Sequence, residues 1–279
     1  MSATRFLVLS DTHDEWPYTD DSCPAPKVDV LLRCGDLTQV GGLPSFRRAI
    51  ECINSIDAEL KLVIAGNHDL ELDPKWWVEN QMDDDDPEDS ARALQLFKSQ
   101  KASGLHYLEE GIHSFELKNG ARFTVYASPY TPEFNGYAFP YSPEQDRFTR
   151  NSGAWWPPEP IPSRNVDIIM THGPPAFNSP GYQLDFNGKS EHCGCDKLSK
   201  ALRRCKPLLH CFGHLHEGRG AAYISWQGDA EVPHVDPIGD SNMREILEVK
   251  PTGSTLLVNA AMHGEARKGF LVDIDFRKP

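Results

Sequence analysis

No stretch of this chain stays apolar for the roughly 18 residues that a membrane-spanning helix needs. The apolar run near the start, Phe6 to Leu9, is broken by Ser10 and Asp11, so a secretory hydrophobic segment is missing too. Export and membrane insertion are not expected, and a cytoplasmic protein is. Basic residues are scarce: 28 Lys and Arg stand against 41 Asp and Glu, a formal charge of −13 at pH 7. Long nucleic acids are held by basic faces that neutralise phosphates, so a polymeric partner is excluded on charge. Cysteine offers no disulfide framework. The seven in 279 residues (Cys23, Cys34, Cys52, Cys193, Cys195, Cys205 and Cys211) are odd in number and expected to be reduced thiols. His192-Cys193-Gly194-Cys195 does not read as a zinc cage, because its thiols stand one residue apart and no second pair exists. It reads as a loop entering a helix from Asp196 to Arg204. Internal repeats and low-complexity tails are absent as well.

What is present is a set of five short blocks rich in metal-binding side chains. They are Asp11-Thr12-His13, Gly35-Asp36, Gly66-Asn67-His68-Asp69, Thr171-His172-Gly173 and Gly213-His214-Leu215-His216. Each follows a brief apolar run: Phe6 to Leu9, Val28 to Leu32, Leu62 to Ile64, Val166 to Met170 and Leu208 to Phe212. Runs of this length bounded by Gly and Asp predict buried strands. The blocks then fall on loops at strand ends, where a rigid sheet can aim several side chains at one point. Carboxylate, carboxamide and imidazole donors without a thiolate suit manganese first, with iron or zinc possible, and argue against a structural zinc site. Two such cations roughly 3.5–4 Å apart can share a carboxylate, generate hydroxide from water and stabilise an in-line displacement at phosphorus. Any one block alone is an ordinary turn; the ordered conjunction is what signals a shared site.

These blocks resemble the calcineurin-like metallophosphoesterase superfamily, whose pattern is D-x-H, G-D, G-N-H-[DE], a lone H and G-H-x-H. Gly35 to Thr38, Ser128 to Phe134, Thr171 to Pro175 and Gly213 to Gly218 look in particular like its metallophosphoesterase-domain-containing branch, which includes metal-dependent phosphodiesterases. The likeness runs from Arg5 to about Phe270 and weakens over 74–104 and 219–252. The resemblance implies that Asp11, His13, Asp36 and His216 hold a first divalent metal ion, with Asp36 bridging to a second that Asn67, His172 and His214 complete. It implies that His68 orients substrate and protonates the leaving alkoxide, the role of a general acid that works near neutral pH. Asp69 is a candidate to orient that imidazole, or else to cap the segment that follows.

The rest of the chain predicts an α/β fold, a two-sheet mixed sandwich flanked by helices, which is also the superfamily's architecture. Helices are expected near Leu43–Ser55, Asp89–Lys101 and Asp196–Arg204. A hairpin is expected from Ile112–Leu117 to Arg122–Tyr126 across Asn119-Gly120, and late strands at Thr255–Asn259 and Gly269–Ile274. A single domain over 1–279 is expected because ligand blocks spanning 11 to 216 must meet. A polar insert at about 219–253 is expected to form a rim or lid. Pro129 to Phe139 and Trp155-Trp156-Pro157-Pro158 are aromatic loops, either cover for a sheet edge or stacking surface beside a cleft, and Asn135 and Tyr137 are candidate substrate contacts. The acidic run Asp83 to Asp89 reads as a solvated lead-in to a helix.

Substrate charge separates the hydrolytic readings. The Ser/Thr phosphatase relatives clamp a dianionic monoester with arginine soon after the bridging aspartate, whereas Asp36 is followed by Leu37-Thr38-Gln39-Val40-Gly41-Gly42. A small monoanionic diester, with cyclic nucleotides as the leading candidates, is the expected substrate. Metal-activated hydroxide would attack it while His68 acts as general acid. The alternatives are a phosphomonoesterase or protein phosphatase and, from another class, a metal-stabilised interaction scaffold without turnover.

Overall fold

Strands in which every residue is apolar need cover on both faces, and that requirement sets the layering. A computed structural model describes residues 3–19, 24–149, 160–226, 234–239, 246–249, 253–262 and 268–276. One sheet holds β1 (Thr4–Leu9), β2 (Val30–Cys34), β3 (Leu60–Ile64), β4 (Leu105–Tyr107), β13 (Ile246–Glu248) and β15 (Phe270–Ile274), in the order β13-β15-β1-β2-β3-β4. The other holds β5 (Gly111–Glu116), β6 (Arg122–Ser128), β9 (Ile168–Thr171), β10 (Leu209–Phe212), β11 (Gly220–Ser225), β12 (His234–Gly239) and β14 (Ser254–Asn259), in the order β12-β11-β14-β10-β9-β6-β5. Helices α1 (Leu43–Asn54), α2 (Pro74–Asn80), α3 (Asp89–Lys98) and α4 (Asp196–Cys205) complete the fold, with a small parallel pair, β7 (Thr131–Pro132) and β8 (Pro140–Tyr141).

Alternate residues of one strand serve two cores. Phe6, Val8, Leu32 and Ile64 point inward and meet Val125, Met170, Leu209 and Val258 of the opposite sheet. Their neighbours Leu7, Leu9, Leu31 and Val63 pack outward on Phe46, Ile50 and Ile53 of α1 and Phe97 of α3. On the other side Tyr126, Ile169, Phe212 and Leu257 pack on Leu198, Ala201 and Leu202 of α4. The result is the expected α/β/β/α sandwich. β1, β2 and β3 run parallel, as do β9 and β10, so the carboxyl ends of each set open on one side and their loops converge. No helix among the described residues is long and apolar enough to cross a membrane.

The hairpin, the late strands and three of the helices lie where expected; the helix expected over Asp89–Lys101 ends at Lys98, and a 3-10 turn from Ser99 to Ser103 continues it. The 219–253 stretch is a correction. Where it is described it forms strands and not a lid: β11 pairs antiparallel with β14 and β12, and β13 runs parallel to β15 in the other sheet. Ala221 faces the inter-sheet core while Ala222 and Ile224 face the α4 layer, so small residues fill both sides of an added strand. A further short helix, α2, lies outside the expected set. Its start is legible in retrospect, because Asp73 caps it by accepting from the Lys75 and Trp76 N–H groups and Pro74 opens its first turn. Trp155 to Pro158 lie outside the described residues.

Candidate metal centre

The five blocks meet at the strand ends, and their backbone is unusual there. Asp11, His13, Asp36 and His214 adopt positive φ angles of 54°, 45°, 48° and 69°. Left-handed non-glycine residues are uncommon and concentrate at functional sites. Two glycines allow the loops to touch. A Cβ on Gly66 would stand 2.2 Å from Asp36 Oδ1, and one on Gly213 would stand 1.9 Å from Asp11 Oδ2.

All seven expected ligands are brought together, in two overlapping groups. In the first, His216 Nε2 lies 3.2 Å from Asp11 Oδ1 and 3.3 Å from His13 Nε2, and His13 Nε2 lies 3.7 Å from Asp36 Oδ2. In the second, Asn67 Oδ1 sits 2.9 Å from His172 Nε2 and 2.8 Å from His214 Nδ1, while His172 Nε2 is 3.3 Å from Asp36 Oδ1. Asp36 thus turns one oxygen toward each group, as a carboxylate shared by two cations must. Supporting bonds orient the donors. His172 donates its Nδ1–H to the Cys34 carbonyl at 2.8 Å and so presents Nε2, and the His214 N–H donates to both Asp11 oxygens at 3.0 Å.

The electrostatics are those of a site shaped for positive charge. Burial works to neutralise Asp11 and Asp36, but the surrounding histidines outweigh it and hold both carboxyls below the usual range. Burial also opposes an imidazolium at His172; the charge of Asp36 wins and lifts it to about 10. His214 is pushed down to about 4, first by burial and then by His172, and burial pushes His13 down as well. Imidazole nitrogens facing each other across carboxylate and amide oxygens suit a divalent cation, and Asp11/His13/His216 and Asp11/Asp36/His172 form compact donor sets for one.

His68 stands at the cleft wall beside this cluster. Its Nδ1–H donates to the Gln39 carbonyl at 2.6 Å, and its ring stacks on Tyr137 with centroids 4.3 Å apart and planes at 27°. One ring nitrogen lies within 4.8 Å of donor atoms of His13 and Asp36. Asp69 is a correction to the expected catalytic pair: it stands at the N-cap of the turn from Leu70 to Leu72, but its side chain bonds neither the N–H groups of that turn nor the imidazole. Fully buried, it accepts from the N–H groups of Leu37 (3.0 Å), Thr38 (3.1 Å) and Gly66 (2.8 Å) and from Thr38 Oγ1 (3.0 Å). It ties the loop of Asp36 to the loop of Asn67, and burial followed by the charge of Asp36 raises its carboxyl to about 6. Asn135 is also corrected: it is exposed and does not line the cleft. Tyr137 does line it, together with Phe134, Glu133, Leu215 and Met262, around a volume of about 620 Å³. Gln39 is a contact that sequence reasoning does not single out, and Phe134 is one that it raises only as part of the aromatic loop. Gln39 acts through a backbone carbonyl, which leaves no side-chain signature, whereas Phe134 belongs to the aromatic loop.

A profile of the calcineurin-like phosphoesterase family matches residues 4–218. The chain is 32% identical over 219 residues to the human metallophosphoesterase domain-containing protein 1, covering 78% of this chain and 62% of that one. It is 34% identical over 224 residues to a protein named probable rhamnogalacturonate lyase C from Emericella nidulans, covering 80% of this chain but 18% of that one. The chain therefore spans less than two thirds of the length of these relatives. A solved structure from Thermus thermophilus aligns over 80% of this chain and 84% of its own, with a TM-score of 0.45 and 11% identity. By profile, relatives and ordered blocks together, the chain belongs to the calcineurin-like phosphoesterase family, in the branch of the metallophosphoesterase domain-containing proteins.

Proposed function

We propose that the chain is a dinuclear metal-dependent phosphodiesterase for small monoanionic diesters, with cyclic nucleotides as the leading candidates. The observation that carries this reading is the cleft lining: among the described residues it includes no Lys or Arg. A dianionic monoester calls for a cationic side-chain clamp, which a monoanion does not need. Arg48, the nearby candidate, is engaged elsewhere, donating to Asp14 Oδ1 at 3.3 Å and Ser45 Oγ at 2.9 Å. Phe134, 62% exposed, and Tyr137 offer π faces beside the cluster, which suits a nucleobase.

Asp11, His13, Asp36 and His216 would hold one cation and Asp36, Asn67, His172 and His214 the other, with manganese best suited and iron or zinc compatible with the same donors. When bound, such a pair supplies Lewis-acid polarisation of the phosphoryl group and a more acidic water. The chain's own contribution centres on His68. With Nδ1–H committed to Gln39, its imidazolium carries the transferable proton on Nε2, and the Tyr137 stack holds the ring in place. That proton goes to the leaving alkoxide oxygen as the P–O bond breaks. The test is turnover of 2′,3′- and 3′,5′-cyclic nucleotides by manganese-loaded protein. Hydrolysis is expected, with Phe134→Ala raising KM by about tenfold for lost stacking; no turnover of any cyclic nucleotide would contradict the nucleotide assignment.

A further inference from the structure

Helix α2 contributes no lining to the metal cleft, yet it and its cap hold the loop that carries Tyr137. That loop joins β7 to β8. Its ends are closed by the Thr131 N–H, which donates to the Phe139 carbonyl at 3.0 Å, and the Glu133 N–H, which donates to the Tyr141 carbonyl at 2.8 Å. Between them Asn135, Gly136 and Phe139 take positive φ angles of 53°, 72° and 55°. Non-glycine residues persist in this region only where their surroundings fix them. Asp73 fixes Phe139: Oδ1 caps α2, while Oδ2 accepts the Phe139 N–H at 2.8 Å. Ala138 is tied beside it, donating its N–H to the Asn67 carbonyl at 3.2 Å. Trp76 reaches the crest of the loop, where its indole Nε1–H donates to the Gly136 carbonyl at 3.0 Å. From Phe134 to Tyr137 the backbone takes no other side-chain hydrogen bond among the described residues.

Tyr137 thus stands between two anchors, Gly136 held by Trp76 and Ala138 held by Asn67. Its ring meets that of His68 at 4.3 Å with the planes 27° apart. The hydrogen bond from His68 Nδ1–H to the Gln39 carbonyl fixes one ring nitrogen but not the tilt of the ring about that contact. The tilt is set by Tyr137, and Tyr137 by its anchors. We infer that Trp76 is a positioning residue for His68: its indole N–H holds the Gly136 carbonyl, which keeps Tyr137 on the imidazole and so aims Nε2 at the leaving oxygen. The catalytic consequence rests on the phosphodiesterase reading proposed above; the hold on the ring does not. A general acid matters most when the leaving group is poor. An alkoxide leaving from a cyclic nucleotide needs the proton of His68, whereas p-nitrophenolate departs with little help. A misaimed imidazole therefore slows the first reaction and spares the second, while a general loosening of the fold slows both.

Trp76→Phe is the test, because it keeps an aromatic ring where Trp76 packs on the core and removes the N–H donor. Proton–carbon NMR spectra of zinc-loaded protein follow the His68 ring protons, which the stacked Tyr137 ring shifts upfield. In Trp76→Phe they are expected to move toward their positions in Tyr137→Leu. Turnover by manganese-loaded protein is measured on 2′,3′-cyclic AMP and on bis-p-nitrophenyl phosphate. A fall in kcat of about tenfold is expected on the cyclic nucleotide, part of what a general acid supplies, against less than about twofold on the nitrophenyl diester. Added to Tyr137→Leu, Trp76→Phe is expected to cost nothing more, since two residues acting through one contact are not additive. Unmoved His68 signals, an equal loss on both substrates, or an additive loss in the double variant would each overturn the role of Trp76. A wild type that turns over neither diester, with the His68 signals still moving in Trp76→Phe, would contradict the phosphodiesterase reading and leave the positioning of the ring by Trp76 standing.

Discussion

His68 and Asp69 are neighbours in sequence and do different work. The first faces the cleft with one nitrogen tied to Gln39, so His68→Ala should lower diester turnover by about 10²–10⁴-fold with metal content unchanged, as checked by elemental analysis of the purified variant. Loss of metal from that variant would instead make His68 a ligand. Asp69 faces inward and holds three backbone N–H groups, so Asp69→Ala should destabilise the fold by about 3–5 kcal/mol in denaturant titrations, because it strands buried donors. Asp69→Asn keeps one acceptor oxygen and should lose less. Equal losses from both variants would point to the charge, not the bonds, as what matters.

At the scale of elements, the strand-end loops interlock so closely that a methyl group is excessive. Gly66→Ala and Gly213→Ala should each displace a carboxylate, Asp36 and Asp11 respectively, and lower the metal stoichiometry measured after dialysis while far-ultraviolet circular dichroism stays near that of the parent. Full metal retention in either would show that the loops can move apart. These elements also mark what the sequence made legible. The strand-then-ligand blocks are local, so apolar runs ending in Asp, Asn or His announce both the strand and its cargo. Asp69 could not be assigned that way, because its partners, Leu37 and Thr38, lie on another loop and are recognised chiefly through their backbone. Arg33 on β2 is 1% exposed, and nothing local in the sequence announces that burial, which depends on α1 closing over β2. The strands of 219–253 escaped notice because their order comes from pairing with β14 and β15, distant in sequence, and because the residues between them are polar.

For the molecule as a whole, acid should expose one cost of burying titratable groups between the sheets and helices. His210 on β10 is fully buried; its Nε2–H donates to Thr171 Oγ1 at 2.8 Å, its Nδ1 has no partner among the described residues, and burial pushes its pKa down to about 3. The folded value lies below the unfolded one, so the neutral ring contributes stability that is fully present above about pH 6.5 and lost as pH falls toward 3. Melting temperatures of the wild type should drop more steeply between pH 7 and 5 than those of His210→Gln, and parallel curves would refute the assignment. The overall charge of −13 and a cleft lining without described Lys or Arg side chains both support the proposed small monoanionic diester, which the proposed pair of cations would attract. The most direct measurement compares hydrolysis of bis-p-nitrophenyl phosphate and p-nitrophenyl phosphate by protein stripped with a chelator and reloaded with manganese. A metal-dependent preference for the diester is predicted; a preference for the monoester, or no metal-dependent hydrolysis of either, would contradict it.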